Sequence, residues 1–121
     1  MARSVLLQLA RDSIAEVIEA KRIINKNAML SEYPLLKEII STEVNLYLKD
    51  KLRASYKTNE ATKTLLEDII YNAKKAAFDS TYPPMTTAEY IDCDLEVVLY
   101  TEQEELREKD PSLSKIHGVK L

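Results

Sequence analysis

The hexapeptide Asp79-Ser80-Thr81-Tyr82-Pro83-Pro84 separates two opposite periodicities, and the stretch Ala61–Tyr100 around it decides the fold. On its N-terminal side Leu65, Leu66, Ile69, Ile70, Ala73, Ala76 and Ala77 recur at three- and four-residue steps, the stripe of an amphipathic helix. On its C-terminal side Cys93, Leu95, Val97 and Leu99 alternate with Asp94, Glu96, Val98 and Tyr100, the period-two pattern of a strand with one buried face. The ring of Pro83 forces Tyr82 away from helical angles, so the helix must stop at this corner. The helix is expected over Asn59–Phe78, capped by Asn59 or Thr58. Its three alanines allow a close approach to a sheet. The strand is expected over Asp92–Thr101, after a short turn in which Thr86 and Glu89 have capping-box spacing.

Upstream, Leu6, Ala10, Ile14, Val17 and Ile18 predict a core-packing helix from Arg3 to about Lys21, with Arg11, Asp12, Glu16 and Glu19 toward solvent. Ile23–Leu30 reads as a connection. A short helix is expected over Pro34–Ile40, with Pro34 in its first turn, Ser31 or Glu32 as its cap, and Leu35, Leu36, Ile39 and Ile40 buried. Thr42–Lys57 reads as a hairpin: Val44, Leu46 and Leu48 alternate with polar neighbours, as do Leu52, Ala54 and Tyr56. Its break, Lys49-Asp50-Lys51, contains neither Gly nor Asn to specify the turn. Glu102–Leu113 is expected to be loop, and Ile116–Leu121 a last short strand with Gly118 at a turn or bulge. The sum is one α+β domain over residues 1–121. Its small, mostly antiparallel sheet (the hairpin, one long strand and a possible short last strand) packs against two main helices.

Composition excludes several classes. A chain of 121 residues, 45% hydrophobic and 31% charged, is an ordinary globular protein. The single glycine, Gly118, rules out a Gly-rich phosphate loop. The single cysteine, Cys93, rules out an internal disulfide or a multi-thiolate zinc site and fits a reducing, cytoplasmic setting. Gln8 and Arg11 interrupt the first apolar run before it reaches signal-peptide length, and no stretch is long enough to span a membrane, so a soluble protein without a membrane partner is expected. Net charge is −3, with basic residues in excess over 1–58 and acidic ones over 59–121. No basic stripe is interleaved with aromatics, and nucleic acid is not an expected partner.

Taken in order, these pieces resemble the AMMECR family. The likeness is carried by Leu6-Leu7-Gln8-Leu9-Ala10-Arg11, by Asn72–Pro84 with its Asp79…Tyr82-Pro83-Pro84 run, by Thr86-Thr87-Ala88-Glu89-Tyr90, by Leu95-Glu96-Val97-Val98-Leu99 and by His117-Gly118-Val119. It implies an α+β domain with a mostly antiparallel sheet and no settled activity. It also implies partners among the Memo-type and radical-SAM-type proteins with which family members are encoded or fused. The departures are specific. Where the family has L-R-G-C-I-G, this chain has Leu52-Arg53-Ala54-Ser55-Tyr56-Lys57, and Thr81 replaces the arginine of the proline run. Thiol chemistry therefore cannot be carried over. Family members continue beyond the H-G element, so an uncovered sheet edge or helix face is expected here, closed most simply by a second copy as a dimer.

Five residues are candidates for a binding site: Arg53, Ser55, Asp79, Tyr82 and His117. Arg53 and Ser55 share a strand face beside the family's motif, and Arg53 is expected to pair with Asp79 or Glu96. Ser55 becomes a nucleophile only if His117 returns beside it as a base. Asp79 ends a helix, against the dipole, and is expected to lock the corner under which Tyr82 packs. Asp92, Asp94 and Glu96 share one side of a strand, but alternate side chains lie about 7 Å apart, so a solvated acidic face is expected rather than a metal site. Cys93 is expected to be buried and inert, and Tyr47, Tyr56 and Tyr100 to form one aromatic patch. No cofactor or metal is expected. The leading expectation is a non-catalytic binding or accessory module that self-associates. The alternative is an enzyme or cofactor-handling protein with its site between Arg53/Ser55 and Asp79/Tyr82.

Overall fold

The computed structural model describes residues 4–79, 83–102 and 104–110. Helix α1 (Val5–Glu19) starts where the Ser4 hydroxyl accepts the Leu7 N–H, and it buries Leu6, Leu7, Leu9, Ala10, Ser13, Ile14 and Ala15. The stripe is rotated from the expected one. Val17 is 45% exposed, whereas the side chain of Arg11, expected in solvent, is only 12% exposed. The Arg11 guanidinium donates to the Tyr90 and Cys93 carbonyls and to Asp110, 3.2 Å away. The helix ends at Ala20, in the left-handed region at φ 55°, with its N–H on the Glu16 and Val17 carbonyls.

The segment expected as a connection contains helix α2 (Lys26–Glu32), capped by Asn25, whose side chain accepts the Ala28 N–H. No residue of α2 is buried, so no apolar stripe announced it. The expected helix Pro34–Ile40 is a 3₁₀ turn, Pro34–Lys37, preceded by Tyr33 with no side-chain cap. Only Leu36 is buried in it. Leu35 and Ile39 are exposed, because the chain extends after Lys37 and Ile39 bridges to Thr64.

Strands β1 (Ser41–Leu48) and β2 (Lys51–Lys57) form the hairpin. Lys49 and Asp50 both have positive φ, 49° and 71°, the backbone of a type I′ turn whose twist matches that of paired strands. Register shifts between Leu46 and Tyr47, since Leu46 faces Ala54 and Tyr47 faces Leu52, so Arg53 is the extra residue of a bulge.

Helix α3 (Leu65–Phe78) begins six residues later than expected, capped by Thr64 rather than Asn59 or Thr58. Thr58 is engaged elsewhere, with its hydroxyl 3.0 Å from both Asp68 and Asn72. Asp79 closes the helix, and the Met85 N–H donates to the Ala77 carbonyl across the proline corner. Helix α4 (Thr87–Asp92) has the expected capping box between Thr86 and Glu89. Strand β3 (Asp94–Tyr100) follows, with Leu95, Val97 and Leu99 buried beneath the helices. Strand β4 (Glu105–Lys109) occupies a segment expected as loop. Its charged sequence lacks apolar alternation because it is an edge strand with little to bury.

The sheet order is β2-β1-β3-β4, every pairing antiparallel. Helices α1 and α3 pack on each other and cover one face, enclosing Val44, Leu46, Ala54, Leu95 and Val97 with Leu9, Ile14, Leu65, Leu66 and Ile69. Within α3's buried stripe, the Asp68 carboxylate accepts the N–H and hydroxyl of Thr42 at 2.8 and 2.7 Å. Asn72 donates to the Thr42 carbonyl, and all three of these residues are fully buried. Among the described residues no helix is long and apolar enough to cross a membrane. The expected last strand, Ile116–Leu121 with Gly118, lies outside the described residues.

Candidate functional site

The sheet face away from α1 and α3 carries Ser55. It pairs in register with Asn45, whose amide donates to Glu96 at 2.8 Å. Arg107 holds the other Glu96 oxygen at 3.0 Å. Glu96 is thus a buried, paired carboxylate on an interior strand and not part of a solvated acidic face. Asp92 belongs to α4, so the expected acidic row does not form. On the same face the Tyr100 hydroxyl donates to Glu43, and the Lys57 ammonium lies 4.5 Å from the Tyr100 ring centre. Burial and the Glu43 carboxylate push Tyr100 up to about 12. Tyr56 points the other way and meets Tyr71 of α3 edge to face at 6.0 Å, so the three tyrosines do not form one patch. Cys93 is buried, and that burial raises its thiol to about 11.

The bulge aims Arg53 at the segment after the proline corner. Its guanidinium donates to both Glu89 oxygens, at 3.0 and 3.2 Å, and to the Pro83 carbonyl at 2.7 Å. The carboxylate it meets is therefore Glu89, not Asp79 or Glu96. Arg53's hydrogen bond, with help from Thr86, holds Glu89 below the usual carboxylate range. Asp79 receives Lys75 at 2.7 Å, and its side chain is 71% exposed. Arg53, Ser55 and Asp79 thus have three different surroundings. Tyr82 and His117 lie outside the described residues. Among the described residues, no group of three or more His, Cys, Asp or Glu is placed to hold a metal.

Among the described residues, two hollows lie elsewhere, along the outer side of α3. One hollow of about 780 Å³ is lined by Glu16, residues 22–27, Ile70 and Lys74. It continues, through Ile70 and Lys74, into a second of about 460 Å³ that is floored by Val17, Ile70, Tyr71 and Phe78 and rimmed by Lys63, Lys74 and Lys75. The junction is built around Glu16, which accepts the Ile23 and Ile24 N–H groups at 2.9 Å and Lys74 at 3.0 Å. Partial burial opposes ionisation, but these donors outweigh it and hold the carboxyl at about 2. Lys63 lies 4.4 Å and Lys75 5.5 Å from the Tyr71 ring centre, so the ring is flanked by two cations. Sequence periodicity missed this surface because it assigned Val17 to the core. The one available signal was Tyr71, a large ring one step off α3's buried stripe.

A family model described as AMMECR1 matches residues 7–121. The chain belongs to the AMMECR1 family. Among solved structures, this AMMECR1 chain is similar to the uncharacterized protein PH0010 from Pyrococcus horikoshii, at 27% sequence identity and a TM-score of 0.69. The likeness covers 79% of this chain and 49% of that one, so the AMMECR1 region here spans about half the length of that relative. No curated protein matches the sequence. The AMMECR motif position occupied by Ser55 lies on β2, beside the bulge that directs Arg53 toward the proline corner.

Proposed function

We propose that this AMMECR1 chain is a non-catalytic binding module that presents the hollow along α3 to another polypeptide, in a reducing cytoplasmic compartment. The observation that carries the reading is the chemistry of that surface. Exposed apolar side chains, Val17 and Tyr71, sit among lysines already engaged with carboxylates or a ring, which suits docking better than bond-making. Memo-type and radical-SAM-type proteins, implied by the family resemblance, are the first to titrate. Binding is expected to be lost in Val17→Asp and kept in Leu35→Asp, a change at an equally exposed site away from the hollow. No saturable binding to either protein, or binding indifferent to Val17→Asp, would count against the reading.

Self-association is part of the same proposal. Leu52 on β2 and Leu106 on β4 are half exposed on the two edge strands, where a second copy could add on. Sedimentation velocity is expected to show a dimer growing with concentration, and a concentration-independent monomer ends that part. One observation favours the alternative, a cofactor-handling site between Arg53/Ser55 and Asp79/Tyr82: Arg53 bonds the Pro83 carbonyl, so the hairpin and the proline corner do meet. That reading requires a cofactor whose thermal stabilisation of the protein disappears in Ser55→Ala while the melting point without cofactor is unchanged.

A further inference from the structure

The structure points to an acidic amphipathic segment of a partner protein as the occupant of the α3 hollow; we infer this on the proposed docking role. The two joined hollows are lined by five cations, Arg22, Lys26, Lys63, Lys74 and Lys75, against three carboxylates, Glu16, Glu67 and Asp79. That is a local positive excess on a chain of net charge −3. The three carboxylates are taken, Glu16 by Lys74, Glu67 by Lys26 and Asp79 by Lys75. The excess therefore resides on Arg22 at one end of the surface and Lys63 at the other.

The second hollow has an apolar floor of Val17, Ile70, Tyr71 and Phe78, while the first, on the Arg22 side, is lined mainly by polar groups such as Asn25, Asn27 and Lys26. The matching ligand therefore sets an apolar face on the second hollow and carries carboxylates toward both ends. The lysine–tyrosine stack adds a second reason. Lys63 lies over the Tyr71 face rather than out in solvent. A carboxylate arriving at that rim meets an ammonium already held in place and loses little side-chain entropy in pairing with it.

Two other occupants fit less well. A lipid bilayer is flat and its cytoplasmic surface anionic, while this surface is concave and the molecule as a whole is negative. A second copy could offer the acidic β4 edge, with Glu104, Glu105, Glu108 and Leu106. That contact joins unlike surfaces, which generates rings or open filaments rather than a two-fold dimer.

The test uses the whole chain and three probes: an acidic peptide of about 15 residues with leucines at three- and four-residue spacing flanked by glutamates, its counterpart with every glutamate replaced by lysine, and phosphatidylserine–phosphatidylcholine vesicles. Amide chemical shifts and fluorescence anisotropy are read at low salt and again at 0.5 M salt. The acidic peptide is expected to bind at least about tenfold tighter than the lysine peptide. It should shift Val17, Ile70 and Tyr71, and weaken as salt rises. The double change Arg22→Glu with Lys63→Glu, both at partly or fully exposed side chains, is expected to remove that preference while leaving the spectrum of the unbound chain intact.

Equal affinity for both peptides at the hollow overturns the acidic preference but leaves the docking role standing. Shifts by neither peptide overturn both. Vesicle binding in place of peptide binding, or shifts confined to concentrated protein without peptide, replaces the partner with a membrane or a second copy and likewise overturns the inference.

Discussion

At the scale of single residues, the buried carboxylate of Asp68 is the clearest stake in the fold. It fixes α3 to β1 by accepting the Thr42 N–H and hydroxyl, and Asn72 completes the set. Asp68→Ala leaves those donors buried without an acceptor and is expected to cost about 3 kcal/mol in urea denaturation. A loss under about 0.5 kcal/mol would show that the network adds nothing. None of this was legible, because Asp68 and Asn72 are four positions apart and read as the polar side of a helix. Their partner Thr42 lies on a strand that no local pattern connects to them. Glu16 offers a pH test. Its carboxyl titrates at about 2 when folded against 4.5 ordinarily, so its stabilisation is complete above about pH 4.5 and fades as pH falls toward 2. Glu16→Gln is expected to lower stability on the order of 1 kcal/mol at pH 7, discounted for partial exposure. That gap should close near pH 2. A gap unchanged by acid would mean the Glu16 contacts do not depend on its charge.

Elements were legible wherever an apolar stripe or an alternation faced the core, as in α1, α3, β1 and β3. They were missed where little is buried: α2, the 3₁₀ turn and β4 carry almost no stripe to read. The start of α3 was misplaced for another reason, a competition between possible caps in which Thr64 won because Thr58 is drawn to Asp68. Glycine poverty has a measurable effect at this scale. Ala20, Lys49 and Asp50 hold left-handed backbone angles that cost residues with a Cβ about 1 kcal/mol each. Ala20→Gly, and separately Lys49→Asn with Asp50→Gly, are each expected to raise the denaturation midpoint by an equivalent of about 1 kcal/mol. An unchanged midpoint would show that the cost is offset in the unfolded chain. The bulge makes a different forecast. Arg53→Met should speed amide exchange in residues 83–92 and spare the core of α1, because its guanidinium bonds the Pro83 carbonyl and the α4 residue Glu89. Equal acceleration in both regions would mean that Arg53 supports the whole fold.

For the molecule as a whole, the α+β class was legible in the periodicities, and the family in several short motifs taken in order, densest around the proline corner. The double hollow was not legible because three segments build it: the end of α1, residues 22–27 and the outer side of α3. Each looks ordinary alone. Sheet order also has a kinetic consequence. Each hairpin, β1 with β2 and β3 with β4, closes over a short turn, whereas the central seam pairs Val44 with Val97 across nearly half the chain. Closing that seam demands chain entropy that neither hairpin returns in advance. The two hairpins are local and the seam is not, so the seam is expected to be the slow pairing in refolding, and α3, lying between the hairpins in sequence, packs across β1 once it is made.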